Sequence, residues 1–151
     1  MKLSKNDDIK LNIDSLTSEG SGIGRFDGFA VFVRGVVPGD EVIAHIIKCS
    51  KNYAIGVVKD IIKPSKFRIE SDCPVSSKCG GCSFRNVSYD EELRYKKGRV
   101  QDALERIGKL DIEVEEIIGA DKCSHYRNKA QYPVSICDGE LFAGFYAYKS
   151  H

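Results

Sequence analysis

The sequence predicts a mixed fold in three parts: a small five-stranded β-barrel over residues 1–62, a cysteine-rich metal-binding segment over 63–87, and the start of an α/β domain over 88–151. Three observations predict it. Short apolar runs, each bounded by a turn signal, crowd the first part. Cys73, Cys79 and Cys82 then cluster in one short stretch. A helical apolar period begins at Tyr89 and gives way to a hairpin signal at Asp138-Gly139.

In the first part, Ile9, Leu11 and Ile13 alternate with polar partners, the pattern of a half-buried strand. A shorter strand is expected over Gly24–Asp27. Phe29–Val33 is rich in strand formers, Val42–Ile47 follows, and Tyr53–Ile62 is the last, with Gly56 as a bulge or tight bend. Turn signals separate them at Asp27-Gly28, Val37-Pro38-Gly39-Asp40 and Lys51-Asn52. About five short strands so closely punctuated point to a small barrel of the OB type, whose loops and one sheet face can bind oligonucleotides. Glu19-Gly-Ser-Gly-Ile-Gly24 resembles a nucleotide-binding loop. Such a loop must open a helix, and here a strand follows, so it reads as a turn.

Residues 63–72 read as a basic, polar linker that Pro64 separates from the last strand. The stretch Asp72–Phe84 then carries the spacing Cys73-x5-Cys79-x2-Cys82, with Gly80 and Gly81 filling the last gap. A packed core does not need thiols at that density, whereas a metal centre needs several soft thiolates at one point. The two glycines let the backbone fold closely round such a centre and turn amides towards sulfur. Spacing alone leaves zinc and iron–sulfur both open, and either normally takes four ligands where this motif supplies three. With six cysteines, three disulfides are the rival reading, disfavoured in a reducing compartment. Cys49, Cys123 and Cys137 read as plain small hydrophobes.

A helix is expected next. Ser88-Tyr-Asp-Glu91 fits a capping box, Tyr89, Leu93, Val100, Leu104 and Ile107 recur at helical spacing, and Gly108 suits the C-terminal cap. This reads as an amphipathic packing element. Its other face carries Arg94, Lys97, Arg99 and Asp102, and RNA contact by that basic face is the sharper alternative. Ile112–Ile118 reads as a strand. Lys129–Cys137 and Glu140–Tyr148 read as a hairpin round Asp138-Gly139. The chain stops just after a strand with no visible partner, so it is expected to be a piece of a longer protein.

Composition is that of an ordinary globular protein, 42% hydrophobic and 30% charged. No apolar run approaches the roughly 18–20 residues of a membrane span. The start of the chain lacks the apolar stretch of a signal peptide, so a cytoplasmic protein is expected. The net charge of +1 hides local basic patches, among them Lys59, Lys63, Lys66 and Arg68 against Asp60 alone.

The order of a small barrel, Cys73-x5-Cys79-Gly-Gly-Cys82, a capped helix, Tyr126-Arg-Asn-Lys129 before a strand, and Gly144-Phe-Tyr146 resembles the amino-terminal third of the TRAM-domain RNA uracil-C5 methyltransferases. The resemblance implies a TRAM barrel as RNA-binding module, and Cys73, Cys79 and Cys82 as three of four ligands to a [4Fe-4S] cluster. It also implies the beginning of a central RNA-holding domain. In the family a Rossmann-like domain follows, binding S-adenosylmethionine. Its catalytic cysteine attacks uracil C6 and a carboxylate helps remove the C5 proton. The fourth cluster ligand, the catalytic cysteine and the cofactor loop match nothing in these residues. The chain is therefore expected to bind no S-adenosylmethionine and to be inactive alone. The expected partner is ribosomal RNA, with transfer RNA as the alternative. The cluster is expected to be structural, since methyl transfer moves no net electrons.

For RNA, Arg34, Lys59, Lys63, Lys66 and Arg68 are candidate phosphate contacts, joined by Arg127 and Lys129 of the matched motif. Phe26, Phe29, Phe32 and Tyr53 could stack bases. Strand periodicity sends Phe29 and Phe32 to opposite faces, so at most one of them is free to do so. The competing functions are a stand-alone, non-enzymatic RNA-binding module with a structural iron–sulfur or zinc site, and a zinc-stabilised interaction domain without RNA.

Overall fold

The computed structural model describes residues 3–148 and residue 150. The chain divides into two compact units. One comprises the residues up to Asp72 with Ser83–Ser88, the other Cys73–Cys82 with the residues from Tyr89 onward.

The first unit is one six-stranded sheet: β1 Asp8–Asn12, β2 Ser15–Leu16, β3 Gly22–Phe26, β4 Phe29–Arg34, β5 Glu41–Cys49 and β6 Tyr53–Lys63. The spatial order is β1-β5-β6-β4-β3-β2. All pairings are antiparallel except β4 with β6, which is parallel. The expected five strands become six because Ser15–Leu16 is too short to show a period of its own. Alternation sets the buried face. In β1, Ile9 and Leu11 point in, in β4 Val31 and Val33, in β5 Val42, Ala44 and Ile46, and in β6 Ala54.

Closure of this sheet explains the glycine run that mimics a nucleotide loop. The chain leaving β1 folds over β3, where the Asp14 N–H donates to the Ile23 carbonyl at 2.8 Å. A Cβ on Gly24 would lie 2.4 Å from the Asn12 oxygen, and one on Gly22 would lie 2.1 Å from Val36 Cγ2. Gly24 lets the Asn12 backbone approach closely and Gly22 makes room for the Val36 and Ile13 side chains, so neither glycine is needed for a phosphate. The Asp27-Gly28 hairpin turn has φ values of 47° and 81°, as a type I′ turn needs. At Gly56 the extra residue sits on the partner strand, since the β5–β6 register shifts between Ile46 and Lys48.

The segment after β6 is not a free linker. The buried Ser65 donates its N–H to Asp40 Oδ1 at 2.8 Å and its hydroxyl to the Pro38 carbonyl at 2.6 Å. Arg68 forms an antiparallel bridge with Val87, and the Ser88 N–H donates to the Phe67 carbonyl at 2.8 Å. That last bond takes the Ser88 amide that a capping box would use. The Glu91 carboxylate instead accepts from Arg94, at 2.7 Å from Nε and 2.5 Å from Nη2. The predicted capping box is therefore not formed.

The second unit contains helix α1, Tyr89–Asp102, a π-helical turn at Ala103–Ile107, and the strands β7 Val134–Cys137 and β8 Glu140–Ala143. Acidic residues Asp90, Glu91 and Glu92 in the first turn of α1, and Arg99 in the last, suit the helix dipole. Gly108 caps the π-turn, its N–H donating to Ala103 O at 2.9 Å. The predicted apolar stripe is covered only in part: Tyr89, Leu93 and Leu104 are half-buried. Val100 and Ile107 are exposed, Ile107 to 83%, and Glu91 is the buried residue of α1. The expected strand over Ile112–Ile118 is absent, because α1 side chains take its backbone groups. Gln101 accepts from the Val114 N–H at 2.7 Å and donates to the Ile112 carbonyl at 2.9 Å. Lys97 donates to the Glu115 carbonyl at 2.9 Å. The hairpin forms at Asp138-Gly139, with φ values of 51° and 82°, but its strands are shorter than predicted. Instead of extending β8, the chain near Ala147 bridges to Cys79.

Candidate nucleic-acid interface

Arg34 and Lys59 lie on the outward face of the first unit's sheet and the three clustered cysteines in the second unit, while the other predicted site residues lie elsewhere.

Strand alternation puts Phe29 on the core side and Ala30, Phe32 and Arg34 on the outward side of β4. The register then builds rows across the sheet. Ile23 of β3, Phe32 of β4 and Ile55 of β6 are cross-strand neighbours, as are Arg34 and Val57. Ala30 pairs with Arg25 on one side and Tyr53 on the other. The Phe32 and Tyr53 rings meet edge-to-face, with centroids 5.6 Å apart and planes at 75°. Tyr53 is 37% exposed and Val57 43%, while Val31, Val33 and Ala54 on the other face are fully buried. Further along the same face, Asp8 of β1 accepts hydrogen bonds from Lys59 and from His45 Nδ1, the latter at 2.7 Å. The Lys59 ammonium first, and then the His45 ring, hold the Asp8 carboxyl below its ordinary value.

The predicted basic residues do not act as one group. Arg34 and Lys59 lie on the outward face, Lys59 already paired with Asp8. Lys63 ends β6, cross-strand from Glu41, and Lys66 lies 4.8 Å from the centroid of the Phe67 ring. Arg68 is turned inward: Nε donates to Asp40 Oδ1 at 3.2 Å, Nη2 to Asp40 Oδ2 and to the Gly35 carbonyl. It serves the barrel's own structure, because the fully buried Asp40 needs a countercharge. Arg127 and Lys129 belong to the second unit, both exposed, with the Arg127 guanidinium 6.0 Å from the centroid of the Tyr126 ring. Sequence reasoning missed Arg25, exposed on the outward face. Its signal was the period-two spacing from Ile23 in β3 that Phe32 and Arg34 repeat in β4.

In the cysteine segment, the Cys79 N–H donates to the Val75 carbonyl at 2.9 Å and the Gly81 N–H to Cys79 Sγ at 3.3 Å. This is the amide-to-sulfur contact expected of the glycine pair. Gly80 and Gly81 also line a pocket of about 370 Å³ with Pro133, Phe145, Tyr146, Ala147 and Tyr148. None of the six cysteines is joined to another in a disulfide. Among the described residues, no three His, Cys, Asp or Glu side chains are gathered closely enough to hold a metal ion. The donor set suits a soft metal centre, but as placed these residues do not form one. Among the described residues, no helix is long and apolar enough to cross a membrane.

The TRAM domain family matches residues 6–59, from the approach to β1 into β6. An uncharacterized RNA methyltransferase of Listeria monocytogenes (strain F2365) is 46% identical over 149 residues, 99% of this chain and 33% of that protein. An uncharacterized RNA methyltransferase of Clostridium tetani is 44% identical over 147 residues, covering 97% of this chain and 32% of that protein. The chain thus spans about a third of the length of the curated relatives it matches. Among solved structures, the Pyrococcus abyssi tRNA (uracil-54, C5)-methyltransferase in complex with S-adenosyl-L-homocysteine aligns with 69% of this chain and 22% of its own. The TM-score is 0.42 and the identity 24%, a likeness too slight to carry an argument. The TRAM domain family thus matches residues 6–59, and the chain is similar along 99% of its length to about a third of a protein named as an RNA methyltransferase.

Proposed function

We propose that this chain is the RNA-recognition part of an S-adenosylmethionine-dependent RNA (uracil-C5) methyltransferase acting in the cytoplasm on ribosomal RNA, with transfer RNA as the alternative substrate. Similarity to RNA methyltransferases along 99% of the chain is the observation that carries this reading. The uracil-C5 specificity is supported by Cys73-x5-Cys79-x2-Cys82 and Tyr126-Arg-Asn-Lys129 in their order after the barrel. Arg34, Lys59, Lys63, Lys66, Arg127 and Lys129 contact phosphate, and Arg68 supports the barrel. Cys73, Cys79 and Cys82 are three ligands of a structural [4Fe-4S] cluster, with the fourth supplied by sequence outside these residues. Methyl transfer and S-adenosylmethionine binding are assigned to that further sequence.

The test uses the full-length protein with isotopically labelled S-adenosylmethionine and transcribed ribosomal and transfer RNA. Labelled 5-methyluridine in one of them, mapped by mass spectrometry, is the expected result. Label in another base, or in no RNA, refutes the proposal. The 151-residue chain should bind RNA with a log–log salt slope of about −0.7 to −0.9 per phosphate contacted, and a flat slope refutes the phosphate contacts.

A further inference from the structure

The outward face of the first unit's sheet presents apolar and aromatic side chains that serve no core. The barrel interior is filled by Val31, Val33, Val42, Ala44, Ile46 and Ala54 from the opposite face of the same strands. Phe32, flanked by Ile23 and Ile55 and met edge-on by Tyr53, is therefore not a packing residue displaced outward. Basic residues frame this strip. Arg25 neighbours the Ala30–Tyr53 pair, and Arg34 lies in the next row, beside Val57. The carboxylate further along the face, Asp8, is already held by Lys59 and His45. A partner suited to this strip offers flat apolar surface at its centre and negative charge within reach of its arginines.

We propose that the outward face of β3, β4 and β6 is a base-stacking site for single-stranded RNA, with Phe32 and Tyr53 as the ring platform and Arg25 and Arg34 as phosphate contacts. The class of partner follows from chemistry. Unstacked bases bring π-faces that aromatic side chains accept with little regard to sequence, and phosphates follow at fixed intervals. Duplex RNA keeps its bases stacked inside the helix and cannot offer those faces. An added peptide strand needs a free sheet edge, and β4 and β6 are both interior strands of the sheet. This inference rests on the RNA-recognition reading and adds to it a place and a preference for unpaired RNA.

The experiment measures binding of a fluorescein-labelled single-stranded oligoribonucleotide to the full 151-residue chain, by anisotropy, with the same sequence in duplex form as competitor. Phe32→Ala and Tyr53→Ala should each weaken single-strand binding by roughly 5- to 100-fold without changing the salt slope. Tyr53→Phe, which keeps the ring, should bind within about two-fold of wild type. Arg25→Ala should reduce the salt slope by about 0.7. Urea midpoints check that each variant is folded. If the wild-type chain binds no RNA, the RNA-recognition reading falls and this site with it. If it binds RNA equally well with and without the two rings, or duplex competes as well as single strand, this site alone is overturned. Loss of thermal stability rather than RNA affinity in full-length Phe32→Ala would show the face packed against another part of the polypeptide, and also overturns it.

Discussion

Arg68→Ala should cost the first unit about 3 kcal/mol of stability. Asp40 is fully buried and accepts four hydrogen bonds: from Val37 N–H at 2.7 Å, from Ser65 N–H at 2.8 Å, and two from the Arg68 guanidinium. Removing one partner of a buried ion pair costs about 3–5 kcal/mol, because the other charge is left without a counterion. The lower end applies here, since the two backbone amides stay on the carboxylate and the Arg68 side chain is 18% exposed to screening water. Asp40→Ala should cost about as much or more, because it strands two amides at about 1–3 kcal/mol each. The double variant should be far from additive, since Arg68 has lost its main partner once Asp40 is gone. The assay is urea denaturation followed by far-UV circular dichroism and tyrosine fluorescence, the chain having no tryptophan. An Arg68→Ala midpoint within error of wild type, or additive single variants, would refute the reasoning. It would restore Arg68 as a candidate phosphate contact, whose signature is a reduced salt slope for RNA at unchanged stability.

Gly24→Ala should destabilise the barrel by several kcal/mol, because the new methyl meets the Asn12 carbonyl at 2.4 Å and Leu11 Cγ at 2.6 Å. A loss of no more than about 0.5 kcal/mol would show that β1 and β3 do not need this close approach. The Asp8 carboxyl is depressed in the folded state by Lys59 and then His45, so its contribution is present above the unfolded pKa of about 3.9 and lost as pH falls through the lower folded value. Asp8→Asn should therefore flatten the acid limb of the stability curve below about pH 4 and leave its shape at neutral pH unchanged, read from urea midpoints across pH. An acid limb as steep as that of wild type would refute the pairing. Full-length protein reconstituted anaerobically with iron and sulfide should lose its charge-transfer absorption in Cys79→Ser. Hydrogen exchange should then quicken in residues 72–86 more than in the barrel strands, and unchanged exchange there would rule out a structural cluster.

What was legible in the sequence was local. Alternation at Ile9–Ile13 marked one strand because a half-buried strand must alternate, and a run of strand formers marked another at Phe29–Val33. Asp27-Gly28 marked a turn and Asp138-Gly139 a hairpin, and both turns hold two residues at positive φ. The split of Phe29 inward and Phe32 outward followed from the same periodicity. For the helix, the stripe from Tyr89 to Ile107 fixed its existence but not its burial, which depends on what lies opposite.

The sequence by itself determined the small barrel, the hairpin turns and the cysteine spacing, because each rests on residues near one another in the chain. Only the tertiary structure decided the roles of particular side chains. It turned Arg68 from a phosphate candidate into the counterion of Asp40, 28 residues earlier, since a charge buried by folding must be neutralised wherever the fold puts it. It converted the loop mimic into a backbone crossing at Gly24 and a packing contact with Val36 at Gly22, since both neighbours come from other segments of the chain. And it set Arg25 in the row of Ala30 and Tyr53, and Arg34 in the row of Val57, because which residues share a sheet face across three strands depends on register, which no single strand encodes.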